Sequence, residues 1–156
     1  MTSRLLSVIV PTHDRREILE RTLPFLLGRT AGRSDCEIVV VVDGSGDGTL
    51  EMLRARRDEP GFRIVVQENR GLAAARNRGA EEARGEILLF LDDDMIASPD
   101  LVAAHREEHS RPGERVVFGA LRLAEGPRRS FLQEGVEIWG REMDARLSAP
   151  GRRLRF

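Results

Sequence analysis

Short apolar runs alternate along this chain with segments whose apolar residues recur at helical spacing. The first run, Leu5-Leu6-Ser7-Val8-Ile9-Val10, is rich in β-branched residues and is stopped by Pro11. Arg16 to Leu27 follows, with Ile18, Leu19, Leu23, Leu26 and Leu27 on one helical stripe. Pro24 lies inside that stripe. An interior proline costs a helix about 3 kcal/mol, so a kink or a break is expected there. Cys36-Glu37-Ile38-Val39-Val40-Val41-Val42 does not alternate, which marks a strand buried on both faces in the middle of a parallel sheet. Thr49 to Arg57 reads as a short helix and Arg63 to Val66 as a third strand. Leu72 to Ala83 reads as an alanine-rich helix stopped by Gly85. Ile87 to Leu91 reads as a fourth buried strand. Pro99 to His109 is a helix with Ser98 as its cap and Pro99 at its first position. Val116-Val117-Phe118 is a fifth strand.

This order predicts an α/β fold: a mostly parallel sheet, right-handed crossovers and helices on both faces. Ligands of such sheets bind outside the carboxyl ends of the strands. Four segments fall on that edge: Pro11-Thr12-His13-Asp14, Asp43-Gly44-Ser45-Gly46-Asp47-Gly48-Thr49, Asn69-Arg70-Gly71 and Asp92-Asp93-Asp94. Polar, glycine-rich or acidic residues recur there after four successive strands. That coincidence points to a ligand site without reference to any family.

Composition narrows the ligand. The chain has 156 residues, the size of one ordinary domain, with 25 basic and 26 acidic side chains. The balance removes any global field for nucleic acid or anionic lipid, so an anion site must be local. Every basic residue is arginine, which fits the codon usage of a GC-rich genome. The single cysteine, Cys36, excludes an internal disulfide and a cysteine zinc site. A reducing, cytoplasmic setting is expected, with peripheral attachment at the inner face of the membrane as its variant. No targeting signal stands out, because the apolar run before Pro11 is too short, and no apolar run has the length of a membrane span.

Asp92, Asp93 and Asp94 place three mutually repelling carboxylates directly after a strand. A hard divalent cation relieves that repulsion, and with no second histidine or thiol in the motif Mg²⁺ or Mn²⁺ is favoured over Zn²⁺. The alternative is a solvated acidic turn. The segment from Asp43 to Gly48 matches the start of a calcium loop, but the twelfth place is Arg54 and a valine strand precedes it. Its glycines also fail the dinucleotide fingerprint, leaving a turn where backbone approaches a ligand, with Asp43 accepting from a ribose or base. Arg76, in a helix that opens with small residues, can pair with phosphate or stack on a base, and the helix start itself favours anions. A solvated arginine is the alternative, and the preferred reading for Arg70 and Arg78. His13 reads as a polar loop residue. His105 and His109 have metal-ligand spacing but no third ligand, so a solvated helix face is preferred.

Together, Val8 to Arg15, Val41 to Thr49, Asn69 to Gly79 and Phe90 to Asp94 resemble a family 2 glycosyltransferase, from about Leu6 to Leu121. The resemblance implies a GT-A fold, the Rossmann-like fold of nucleotide-diphospho-sugar transferases, shortened to its donor-binding half. The implied domains are a nucleotide-sugar-binding domain over residues 1–125 and a helical, basic tail over 126–156. The implied donor-binding residues are Pro11, Thr12, Asp43, Arg76, Asp92 and Asp93. Asp92 and Asp94 would form the metal motif, with Asp94 the direct ligand. The implied reaction is metal-assisted, inverting sugar transfer from a nucleotide-diphospho-sugar, with a UDP-sugar favoured, to a carbohydrate or lipid-linked acceptor.

There are departures from the family pattern. Val42 stands where many members carry an acidic residue, and no later acidic motif identifies a general base among Glu134, Glu137, Glu142 and Asp144. The second reading is therefore an incomplete, non-catalytic donor-binding module that needs a partner or is a fragment. In the tail, Leu132, Val136, Trp139, Met143 and Leu147 form a helical stripe that covers the core. Its alternative is a membrane-surface or homo-oligomer contact assisted by Arg128, Arg129, Arg152, Arg153 and Arg155.

Overall fold

A computed structural model describes residues 5–30, 32–113 and 115–119. The chain divides into two compact units, Met1–Glu114 and Arg115–Phe156. The expected boundary after residue 125, the tail stripe and the tail carboxylates lie outside the described residues.

The first unit alternates strand and helix: β1 (Leu6–Thr12), α1 (Arg16–Thr30), β2 (Cys36–Asp43), α2 (Thr49–Arg54), β3 (Phe62–Gln67), α3 (Leu72–Glu82), β4 (Ile87–Phe90) and α4 (Leu101–Ser110). The strands form one sheet in the order β3-β2-β1-β4, and every pairing is parallel. β1 and β2 are buried at every residue. Their non-alternating composition follows from this, since both faces of a central parallel strand are covered. On one face Leu6, Val8, Val10, Ile38, Val40 and Val42 join Leu19, Leu23 and Leu26 of α1 in the main core. On the other, Val39 and Val41 cluster with Val65 and with Ala75 of α3.

The elements follow the sequence pattern with several differences, among them that α2 ends at Arg54 instead of Arg57. β1 continues through Pro11 to Thr12. α1 runs unbroken through Pro24, an exposed residue, because Leu19, Leu23 and Leu26 on the opposite face hold the helix to the sheet. α3 ends before Gly85, which does not act as its stop. Gly85 instead lets the chain pass β1, since a Cβ there would lie 2.7 Å from the Leu5 carbonyl oxygen and from Ser7 Oγ. α4 starts at Leu101, after Asp100, so Ser98 and Pro99 belong to the preceding turn. β4 is a sheet edge among the described residues and alternates, with Leu88 and Phe90 41% and 45% exposed.

Val116-Val117-Phe118 forms no strand, and Val116 and Phe118 are largely exposed. A run of three apolar residues has no structure of its own unless a sheet edge receives it. Among the described residues no helix is long and apolar enough to cross a membrane.

Candidate functional site

The parallel register brings the carboxyl ends of the strands to one edge: Thr12 pairs with Val42, and Asp43 with Gln67. The loops beyond these ends are tied to one another. The Asp14 N–H donates to Ser45 Oγ at 3.1 Å, and its carboxylate accepts from the Gly46 N–H at 2.7 Å. Asp14 is the one described non-glycine residue at positive φ (49°), a conformation that aspartate tolerates better than most residues. Asp47 accepts from the Arg16 N–H at 2.8 Å and from the Thr49 hydroxyl at 2.5 Å, linking the starts of α1 and α2. Gly44 has φ 70°, and a Cβ on it would lie 2.6 Å from the Asn69 nitrogen, so the loop after β2 meets the loop after β3 at van der Waals limits.

Asp43 is buried and organises that second loop. Its Oδ1 accepts from Gln67 Nε2 at 2.7 Å and from the Arg70 N–H at 2.9 Å, and its Oδ2 accepts from the Gly71 N–H at 2.9 Å. Burial by itself would raise its pKa. The Arg70 and Gly71 amides, Gln67 and His13 outweigh that and hold it below the ordinary carboxylate value. The anion expected at the start of α3 is thus supplied from within the chain, by Asp43. Arg70 contributes through its backbone, and Arg78 pairs with Glu81 and Glu82 on its own helix. His13 Nδ1 lies 2.6 Å from the Asp43 carbonyl oxygen, which can only accept, so Nδ1 carries a proton, and Nε2 lies 3.1 Å from Asn69 Nδ2.

The three aspartates after β4 have three different surroundings. Asp93 points inward: its carboxylate accepts from the Thr12 hydroxyl at 2.8 Å, and its carbonyl accepts from the Thr22 hydroxyl of α1 at 2.6 Å. Burial raises its pKa, and the neighbouring Asp94 and Asp92 add to the rise against the Thr12 hydrogen bond and the Arg15 charge. Asp92 and Asp94 point outward and are half exposed. Asp92 pairs with Arg76 Nη2 at 2.6 Å, and Asp94 with Arg15 Nη2 at 3.1 Å. Arg15 Nε is also 3.4 Å from Asp93.

Thr12, Asp43, Arg76, Asp92, Asp93 and Asp94 therefore share one edge, with Pro11 buried in β1 beneath them. Thr12 reaches Asp93, so within the chain its hydroxyl serves the motif. Sequence reasoning missed Arg15, Thr22 and Gln67, and placed Asn69 on the edge without a role. Gln67 was legible as the last residue of a strand in register with Asp43, and Arg15 as a cation three residues beyond Thr12. Thr22 carried no signal, because only the packing of α1 brings it to Asp93. His105, expected on a solvated face, is buried, and burial followed by the nearby His109 lowers its pKa. Its ring stacks on that of His109 at 6.4 Å between centroids.

Among the described residues no three His, Cys, Asp or Glu side chains converge as a cation cage. The outward carboxylates fit a different kind of site. One or two hard oxygen donors with open positions suit Mg²⁺ or Mn²⁺ that also takes phosphate and water ligands. The calcium-loop arrangement does not form: Asp43 and Asp47 are spent on backbone and threonine donors.

Residues 7–148 match the family described as Glycosyl transferase family 2. Validoxylamine A glucosyltransferase of Streptomyces hygroscopicus subsp. jinggangensis is 40% identical over 118 residues, 74% of this chain and 28% of that protein. The uncharacterized glycosyltransferase YfnE of Bacillus subtilis is 40% identical over 114 residues, 72% of this chain and 29% of that protein. Among solved structures, S. aureus TarS 1-349 in complex with UDP-GlcNAc superposes with TM-score 0.61 at 30% identity, covering 68% of this chain and 32% of that one. Mannosyltransferase PcManGT from Pyrobaculum calidifontis, in complex with GDP-Man and Mn²⁺, gives TM-score 0.60 at 30% identity, covering 66% of this chain and 31% of that one. The fold is the GT-A fold of these neighbours. The chain spans less than a third of the length of each of these four proteins.

Proposed function

The chain belongs to glycosyl transferase family 2, and from that premise we propose that its sheet edge holds the nucleotide-diphospho-sugar donor of a metal-assisted, inverting glycosyltransferase. The observation that carries the reading is the convergence of Arg76, Asp92 and Asp94 beside the loop that Asp43 organises. In this reading Pro11, Thr12 and Asp43 shape the nucleotide pocket. Arg76 leaves Asp92 for the base or the diphosphate. Asp92 and Asp94 hold Mg²⁺ or Mn²⁺ with the donor's phosphates, and Asp93 anchors the motif from below.

When bound, the cation supplies Lewis-acid neutralisation of the departing nucleoside diphosphate. A UDP-sugar is the favoured donor, and a carbohydrate or lipid-linked acceptor follows from the reaction class. A cytoplasmic site of action, at the inner membrane face for a lipid-linked acceptor, belongs to the same proposal. So does a nucleotide-sugar-binding domain over residues 1–125 followed by a tail.

A second reading, a donor-binding module without catalysis of its own, is favoured by one observation. All six aspartates on this edge, Asp14, Asp43, Asp47, Asp92, Asp93 and Asp94, are engaged by arginine, hydroxyl or backbone N–H groups. None stands ready as a general base, whose loss costs about 10²–10⁴ in rate.

Calorimetry with UDP, GDP and dTDP, each with and without Mn²⁺, tests the donor site. Metal-dependent binding of at least one is expected and should lose its metal dependence in Asp94→Ala. No binding of any of the three by the folded chain would refute the assignment. Donor hydrolysis or transfer by the chain alone would then separate enzyme from module.

A further inference from the structure

Arg15 has no role in the donor-site reading above, yet it touches two of the three motif aspartates at once. Its Nε is 3.4 Å from Asp93 and its Nη2 is 3.1 Å from Asp94. We propose that Arg15 is the motif's own counter-cation, which competes with a divalent ion for the Asp94 carboxylate and is drawn off by the donor's diphosphate. The inference rests on the donor-site reading.

The geometry supports competition. The Asp93 side chain is 8% exposed, so its attraction for the guanidinium is less screened than that of a surface pair. A divalent ion on Asp94 would sit against a fixed positive charge already hydrogen-bonded to the same carboxylate. Arg15 must leave, or the ion binds weakly.

The geometry also supports release. The Arg15 side chain is 42% exposed and can swing without disturbing the core. Its backbone cannot move with it: the Arg15 carbonyl accepts from the Leu19 N–H in the first turn of α1, and the next N–H, of Arg16, is held by Asp47. The result is a free arm on a fixed shoulder. A diphosphate arriving beside the motif offers pairs of oxygens on tetrahedral phosphoryl groups, which the planar guanidinium fork can grip in a bidentate manner, and it carries more negative charge than a single carboxylate. With Arg15 on Asp93 and Asp94 and Arg76 on Asp92, two guanidiniums face three carboxylates. Cation alone is disfavoured in that state, and cation with diphosphate is favoured. Arg15 thereby couples the two ligands, and by linkage each must tighten the other by the same factor.

The test is titration of the chain with Mn²⁺, read by the electron-spin signal of the free ion, with and without UDP, for wild type, Arg15→Ala, Arg15→Lys and Asp94→Asn. Arg15 is exposed and its backbone contacts are kept, so the variants fold. Without UDP, Arg15→Ala should bind Mn²⁺ about fivefold more tightly than wild type, the size expected for one partly exposed ion pair. Arg15→Lys should return towards wild type. UDP should tighten Mn²⁺ binding by a smaller factor in Arg15→Ala than in wild type. Equal or weaker Mn²⁺ binding by Arg15→Ala without UDP, where Asp94→Asn abolishes binding, overturns the role of Arg15 and leaves the donor site standing. No Mn²⁺ binding by wild type, with or without UDP, overturns both.

Discussion

Replacing Gly79 by alanine should loosen the helix that carries Arg76. Gly79 is buried in α3, and a Cβ added there would lie 2.3 Å from Ile9 Cγ2 and 3.1 Å from Val41 Cγ2. Carbon atoms pack at about 3.5–4 Å, so the first contact is short by more than about 1 Å. Ile9 and Val41 are fully buried β-branched residues of the two central strands, and such side chains have little freedom to turn away. The strain falls on α3, which must lift from the sheet. Overpacking of this kind costs about 1–3 kcal/mol, against a gain of about 1 kcal/mol from the better helix propensity of alanine. A net loss of about 1 kcal/mol is the central expectation. Gly28 is the control: it lies in α1 with nothing within 4 Å of its added Cβ, so Gly28→Ala should stabilise by about 0.5–1 kcal/mol. Urea denaturation followed by circular dichroism measures both. The midpoints should move in opposite directions at constant slope, and UDP binding in Mn²⁺ should weaken only in Gly79→Ala. If Gly79→Ala is as stable as wild type, close packing of α3 does not limit this residue to glycine.

Three further outcomes follow from the same contacts. Burial favours the protonated form of Glu37, but the Ser7 hydroxyl, the Arg84 N–H and Arg63 outweigh it and hold its folded pKa below the unfolded value. Its contribution is therefore complete above about pH 4.3 and lost as pH falls through the lower folded value. The stability difference between wild type and Glu37→Gln should be near 2 kcal/mol at pH 7 and shrink under acid; the same difference at pH 3 in urea titrations would contradict this. Burial, with help from Asp35, pushes the Cys36 thiol up to about 11, so native protein at pH 8 should resist iodoacetamide and be labelled only as it unfolds; prompt labelling in buffer would contradict that. Asp43→Asn turns an amide N–H₂ towards the Arg70 or Gly71 N–H and should cost about 1.5–3 kcal/mol, whereas Asp94→Asn at the surface should stay within about 0.5 kcal/mol of wild type in the same melt.

Much of the fold was legible because burial on both faces leaves a plain trace. The valines of β2 could only be a central strand, and glycine or aspartate after successive strands marked the candidate ligand edge. Legibility failed where a partner outside the local pattern decides the outcome. Leu88 and Phe90 look as buried as Val39 and Val41, yet β4 is a sheet edge among the described residues. Pro24 does not stop α1, because leucines on the far face hold it. In the site, the aspartates were visible but their directions were not. Three identical letters gave no sign that Asp93 turns in to Thr12 while its neighbours turn out to arginines. Arg15 and Thr22 come to the motif across 79 and 71 residues, a proximity that only the pairing of β1 with β4 and the packing of α1 create.

Loops are ordinarily where a protein accepts extra residues at little cost. The cross-ties of Asp14 to Ser45 and Gly46, and of Arg16 to Asp47, remove that freedom from two loops together. An insertion between Thr12 and Arg16 would displace the two N–H donors and the one carboxylate acceptor that tie this segment to Ser45, Gly46 and Asp47, and the reverse holds equally. Length variants and linker grafts should therefore leave both segments untouched and use the exposed turn from Arg57 to Pro60 instead, where no such ties cross to another loop.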